Sequence, residues 1–398
     1  MPHALLLASW FPPSPGGAER YAHRLFTHAP ESGWTVTVAT DGRTLAGAAS
    51  QRQPGVHRLT RYTEQLTDSR RVAWRSMQFS VLDELNGVLD GVLDGTGPLD
   101  LVHANSIETA VLGRIIADHH GIPLVVTIHE HAPQAEPFGR GRLQLAFRRL
   151  APDAVIAPSS FYYDRARVEG VPADRIHRIP HGVEVPATVP ARPPAGHGPA
   201  WGLPPDAWVA LCVGRIYRPK GTLELIRAAA IARRDVPRLR VVIVGPDGPS
   251  EYALAARSEA RRLGLDDVVH FAGPRLPEEM PGVLWQADAI VAPSLAEGFG
   301  LAVAEAMGLG KPVVATSVGG LADLVADGVT GELVAPGDPA AVAAALARLA
   351  SDPARSSRLG AAARRSILEH HHVRTMVART TALYDRLCAP AHRLTPAT

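Results

Sequence analysis

Residues 291–320 read VAPSLAEGFGLAVAEAMGLGKPVVATSVGG, and their reading decides the fold. The apolar run 289–292 is a strand, stopped by Pro293 and Ser294. A short loop over 295–300 follows, then a helix over 301–307 that Gly308 and Gly310 are expected to end. Lys311-Pro312 leads into a second apolar strand at 313–316, and Gly319-Gly320 opens another helix. Strand, loop, helix and strand in this order make the repeating unit of a parallel sheet.

The loop carries a carboxylate, two glycines and the free N–H groups of a helix start. Those groups and the positive end of the helix suit a phosphate or a polyhydroxylated ligand. Gly298 and Gly300 let a ligand approach the backbone closely. Glu297 lies in the loop and Glu305 one turn into the helix, so both can face one ligand, and a carboxylate accepts the paired hydrogen bonds of sugar hydroxyls. The plain alternative is a loop charge and a solvated helix charge. Against it, Glu305 sits among Ala302, Val303, Ala304, Ala306 and Met307, and a carboxylate buried in such a helix requires a partner.

Working outward, 208–213 is an apolar strand followed by Gly214-Arg215 and Lys220-Gly221, then a helix over 222–232. Two cations on a glycine-bearing loop at a strand end suit a diphosphate; surface charges on a turn are the alternative. Strand 239–244 ends at Gly245-Pro246-Asp247-Gly248, and strand 268–271 runs into Gly273-Pro274-Arg275-Leu276. A tight turn at 328–331 and helices over 340–350, 355–368 and 373–387 complete this half.

The first half opens with strand 3–9, then Gly16-Gly17 at the start of a helix over 18–29, a loop able to admit a diphosphate or an acceptor. Strand 34–39 precedes a polar, irregular region over 41–70 and a helix over 72–93. Strands near 100–106 and 121–131 deliver His103, Asn105 and His129 at their C-terminal ends, where open α/β sheets bind ligands. His103 reads equally as a hydrogen-bonded core histidine. Residues 139–150, GRGRLQLAFRRL, form a basic amphipathic helix: Arg142, Arg148 and Arg149 make either a solvated face or a patch for anionic membrane or a phosphorylated acceptor. Strands at 154–159 and 175–180 follow, with Ser159-Ser160 expected to cap a helix. The Pro/Gly-dense stretch near 185–205 reads as a linker.

A chain of 398 residues is too long for one ordinary core, so two domains are expected. With 41 Lys+Arg against 39 Asp+Glu, net charge gives no argument for nucleic acid. Cys212 and Cys388 form no Cys-x-x-Cys or Cys/His cluster, so a reducing cytoplasm is the expected setting. The short apolar run after Met1 reads as a strand and not a signal peptide, and no stretch approaches the ~20 apolar residues of a membrane span. No Asp-x-Asp occurs, and His129 and His131 lack a third ligand, so no metal is expected. Abundant Ala, Arg, Pro and Gly fit a GC-rich, bacterial genome.

The run Glu297-Gly-Phe-Gly-Leu-x-x-x-Glu305 resembles the Glu-x7-Glu signature of the retaining family-4 glycosyltransferases. Gly214-Arg215-x4-Lys220-Gly221, Thr127-x-His129 and the Gly16-Gly17 loop match further motifs of that family. The loop at 245–249 departs from its usual Gly-Asp-Gly by Pro246. The resemblance implies an α/β GT-B fold, with two Rossmann-like domains facing a central cleft. It implies an acceptor-side domain over 1–187, rejoined by a returning helix at about 372–398, a linker over 188–206 and a donor domain over 207–371. Glu297 and His129 would then meet the donor sugar, Glu305 the ribose, and Arg215 and Lys220 the diphosphate. Gly214, Gly245, Gly298, Phe299, Gly300 and Leu301 would line the diphosphate and sugar, with Arg275 and Leu276 at the nucleobase.

The implied activity is a metal-independent, retaining hexosyl transfer from a UDP-sugar or GDP-mannose by same-face substitution. The nucleotide sugar is a substrate, and no cofactor is expected. The acceptor could be a lipid, glycan, cyclitol or small natural product, with peripheral contact at the inner face of the membrane as a further expectation. A nucleotide-sugar epimerase, a pseudo-glycosyl or trehalose-type coupling enzyme and a silent sugar-nucleotide-binding subunit remain as alternatives.

Overall fold

The structure is a computed structural model that describes residues 1–12, 14, 16–42, 53–59, 87, 89, 97–129, 143–188, 201–248 and 250–389. The expected helix over 72–93, Glu130, His131, Arg142 and most of the linker lie outside these residues. The chain divides into two compact units, 1–182 with 373–398, and 183–372.

The first unit holds strands β1 (His3–Ala8), β2 (Thr35–Asp41), β3 (Val56–Leu59), β4 (Leu101–Ala104), β5 (Leu124–Thr127), β6 (Ala154–Ala157) and β7 (Ile176–Arg178). They form one sheet in the order β3-β2-β1-β4-β5-β6-β7, all parallel. Every residue of β1, β4, β5 and β6 is buried, as expected of strands covered by helices on both faces. The helix Val373–Cys388 completes this unit: Tyr384 is fully buried beside Trp34, whose indole N–H donates to Asp385 at 2.9 Å.

The second unit holds β8 (Trp208–Val213), β9 (Leu239–Val244), β10 (Val269–Gly273), β11 (Ala289–Ala292), β12 (Val313–Thr316) and β13 (Glu332–Val334). Their order is β10-β9-β8-β11-β12-β13, again all parallel. Each sheet therefore reverses its winding once, between β1 and β4 in one and between β8 and β11 in the other. Open parallel sheets bind ligands at such a switch point, beyond the strands' C-terminal ends.

Three local expectations are corrected. The region 41–70 is not wholly irregular, because Val56–Leu59 pairs with β2 as an edge strand. Only Leu59 of its residues is fully buried, which is why its apolar signal is weak. Gly308 is the last residue of its helix, Leu301–Gly308, and not a residue beyond it. A Cβ on Gly308 would lie 3.2 Å from Val185, so its small size serves packing, and the left-handed residue beyond the helix is Gly310. Ser159 occupies the N-cap position of helix Ser160–Val168, yet its hydroxyl makes no capping bond.

Candidate active site

In the second unit, the loops that follow β8 and β11 meet at the switch point. After β8, a 3-10 turn Arg218–Lys220 ends at Gly221. The backbone at Gly221 has φ +66°, and a Cβ there would fall 1.9 Å from the Pro293 carbonyl oxygen, so only glycine lets the loops close together. They are joined by the Pro219 carbonyl, which accepts from the N–H groups of Leu295 at 2.8 Å and Ala296 at 3.2 Å. From the other side, the buried Thr316 hydroxyl at the end of β12 donates to the Ser294 carbonyl at 2.6 Å. The Gly320 N–H donates to the Glu297 carbonyl at 3.1 Å. A Cβ on Gly319 would sit 1.9 Å from that same carbonyl, so the glycine pair forms a seat for Glu297 and Gly298.

This scaffold brings Lys220 and Glu297 together: Nζ lies 2.5 Å from Oε2, with side chains 24% and 14% exposed. Burial works against charge on Lys220, but the attraction and hydrogen bond of Glu297 outweigh it and lift the lysine pKa above its ordinary value. Lys220 is thus a cation at any physiological pH. A small cavity of about 30 Å³ lies beside the pair, lined by Cys212, Ser294, Gly300, Leu301 and Ala302 among others. It is about the space of one water, a niche under the ion pair. Burial pushes the Cys212 thiol up to about 11, against the pull of Lys220, so it is inert.

Arg215 is exposed, and its guanidinium lies 4.8 Å from the centre of the Tyr217 ring. Gly214 and Gly245 follow adjacent strand ends and touch, since a Cβ on Gly245 would meet the Gly214 carbonyl. Phe299 and Leu301 are buried in the core below the loop, while Ala302 and Glu305 are the only partly exposed positions of their helix. Leu276 is 58% exposed and Arg275 donates to the Ala272 carbonyl at 2.8 Å. The first unit holds the other expected residues. Gly16 and Gly17 begin the helix Gly17–His28, with the Glu19 carboxylate folded over Gly16.

His129 follows β5 in the first unit, within a set of rings and amides. Its Nε2 lies 3.0 Å from Asn105 Oδ1, and Asn105 Nδ2 donates to the Ala18 carbonyl at 3.0 Å. That second bond orients the amide, so His129 donates through Nε2. His181 stacks on His129 with ring centres 5.1 Å apart and 12° between planes. Burial drives the His129 pKa down to about 3, so the ring is neutral and is no proton donor near pH 7. His103 resolves as a core histidine, fully buried between the Tyr384 hydroxyl at 2.5 Å and the Thr127 hydroxyl at 2.7 Å.

Among the described residues no group of three or more His, Cys, Asp or Glu could hold a metal. Sequence reasoning missed three parts: the Thr316 tie, the Gly319-Gly320 seat, and the stacking of His181. A Gly-Gly pair at the start of the helix after β12 was the available sign for the seat; the other two contacts have no local pattern.

Comparison with known proteins agrees with this geometry. The model of "Glycosyl transferases group 1" matches residues 198–366, and that of "Glycosyltransferase Family 4" matches residues 15–185. A D-inositol 3-phosphate glycosyltransferase of Thermobispora bispora is 34% identical over 316 residues, 75% of this chain and 73% of that protein. The chain belongs to the family-4 glycosyltransferases.

Another relative of the same description, from Streptomyces avermitilis, is 38% identical over 68% of this chain. The chain spans 61% of that protein's length, which is less than two thirds. Solved structures of the same GT-B fold include sucrose-phosphate synthase from Thermosynechococcus elongatus (TM-score 0.78, 24% identity, covering 98% of this chain and 100% of that one). A second is Anabaena HepE in complex with UDP and glucose (TM-score 0.76, 23% identity, covering 97% and 100%). Among the described residues no helix is long and apolar enough to cross a membrane.

Proposed function

We propose that this chain transfers a hexose-type sugar, with retention, from a UDP-sugar or GDP-mannose to a hydroxyl of its acceptor. The observation that carries the reading is the Lys220–Glu297 pair, locked at the β8/β11 switch point by Gly221 and the Gly319-Gly320 seat. Lys220 and Arg215 offer two cations to a diphosphate, and Glu297 offers oxygens to a sugar. UDP is the favoured nucleotide, because HepE of the same fold is bound to UDP and glucose. A phosphorylated cyclitol is the favoured acceptor, because the related sequences are named for D-inositol 3-phosphate. The domain limits 1–187, 188–206 and 207–371 remain part of the reading, as does the returning helix.

The same-face route needs no protein base. The bond from the anomeric carbon to the diphosphate oxygen breaks, a bond to the acceptor oxygen forms on the same face, and the acceptor proton passes to the leaving diphosphate. Charge grows on the diphosphate, where Lys220 and Arg215 stabilise it. His129, held neutral, orients a sugar by hydrogen bonding and moves no proton. No metal or cofactor takes part.

The test is thermal-shift titration with UDP, GDP, UDP-glucose, UDP-N-acetylglucosamine and GDP-mannose, on the wild type and Glu305→Ala. A shift with one nucleotide series, lost in Glu305→Ala, supports the donor site and the ribose role of Glu305. No shift with any of them sinks the reading. Release of free nucleoside diphosphate on adding acceptor then separates a transferase from a silent binding subunit.

A further inference from the structure

The second unit carries another cavity, of about 420 Å³, that the transfer chemistry does not use. One wall is the helix Pro353–His370, which contributes Arg355, Arg358 and Arg365; the opposite lip is the turn at Gly328-Val329. That turn directly precedes β13, so the cavity lies at the N-terminal end of this strand. Lys220 and Glu297 follow the C-terminal ends of β8 and β11 in the same all-parallel sheet. The two places are at opposite ends of the strands.

The local charge is unbalanced. Glu332, 4% exposed, has both oxygens taken, by Arg348 at 2.6 Å and by Arg355 at 2.9 Å. Arg358 and Arg365 have no hydrogen-bond or ion-pair partner among the described residues, and both are exposed. They stand two helical turns apart on one face, a rise of roughly 10 Å. Ala361 and Ala362 lie between them and leave the space open. Val329, 60% exposed, supplies an apolar edge. Two planar, permanently charged forks over a floor of small side chains match oxyanions of phosphate by paired hydrogen bonds. The volume of the cleft between helix and turn is that of a small-molecule site.

We propose that this cavity binds a soluble phosphate-bearing molecule of about diphosphate size, gripped by Arg358 and Arg365. The site is separate from the donor site and does not depend on the transferase reading. Calorimetric titration of the full chain with inorganic pyrophosphate, in saturating UDP to occupy the donor loops, tests it. The wild type is expected to bind. Arg358→Ala/Arg365→Ala is expected to bind at least about tenfold more weakly, with an unchanged UDP titration. Arg358→Glu/Arg365→Glu, which keeps long side chains on the exposed face, should abolish binding and guards against a fault of packing in the alanine variant. Equal pyrophosphate affinity in the wild type and both variants overturns the proposal. So does Arg358/Arg365-dependent binding confined to phosphatidylglycerol vesicles, with none to pyrophosphate.

Discussion

The two units wind their sheets alike around the central strand, yet they furnish the strand ends in opposite ways. Beyond β8 and β11 stand charges at or near the surface: Arg215, Lys220 and Glu297. Beyond β4 and β5 stand neutral groups: buried Asn105, bonded to the partly exposed His129, and, just beneath, fully buried His103, bonded to Thr127 and Tyr384. A shared winding order therefore sets where a ligand can sit and leaves the electrostatics to side chains. On the proposed function, the charges of the second unit would meet charge that grows during a reaction. In the first unit, burial keeps His103 and His129 out of acid–base chemistry near pH 7.

The largest expected effect falls on the charged side. Lys220→Ala removes the cation that pairs with Glu297. Initial rates of nucleotide release should fall about 100- to 1,000-fold, in line with the ~2–4 kcal/mol lost with one transition-state donor. An equal loss from a variant of the first unit's neutral cluster, with Lys220→Ala near wild type, would invert the comparison.

Next comes the backbone under that charge. Gly221→Ala forces a Cβ against the Pro293 carbonyl in a left-handed backbone. We expect a loss of about 2 kcal/mol or more from strain and overpacking, seen as a lower midpoint in denaturant. Nucleotide affinity should fall with it, since the loops after β8 and β11 share this contact. Retained affinity in a destabilised protein would show that Lys220 is placed without the help of Gly221.

The first unit responds to pH instead. His103 and His129 have pKa values of about 3 in the fold, through burial and, for His103, also through its neighbour His129. Their unfolded value is about 6.5. Between pH 6.5 and 3 the unfolded chain therefore binds more protons, and stability must drop as pH falls through that window. Above pH 6.5 the two groups contribute no slope. Denaturation midpoints from pH 7.5 to 4.5 should show the decline, reduced in His103→Gln, and the ring-proton shifts of both histidines should stay flat from pH 5.5 to 8. Titration of either ring near pH 6.5 would remove the neutral-cluster account.

These contrasts explain what could be read in advance. Strands such as Trp208–Val213 and Val313–Thr316 are legible because two-sided burial makes them unbroken apolar runs. Arg215, Lys220, Glu297 and Glu305 stand out through motifs that resemble those of the family, in loops and a helix that follow those runs. The edge strand Val56–Leu59 is hidden, since half-exposure dilutes its pattern. The direct Lys220–Glu297 bond is hidden as well: its partners are 77 residues apart and meet only because β8 and β11 are neighbours. The same holds for His181 on His129: the sequence marks His129 but not its stacking partner, which the fold supplies.

The smallest effect concerns salt. Exposed cations are screened over about 8–10 Å at physiological ionic strength, whereas neutral buried groups are indifferent to it. Nucleotide affinity should weaken a few-fold between low and physiological salt. Arg215→Ala should flatten that dependence, because Arg215 is exposed and, on the proposed function, would meet the diphosphate through solvent-screened attraction. His129→Gln should leave the slope unchanged whatever it does to the rate, since it removes no charge. Parallel slopes in the wild type and Arg215→Ala would mean that Arg215 acts through its stacking on Tyr217 and not through its charge, and the division between a charged unit and a neutral one would then rest on Lys220 alone.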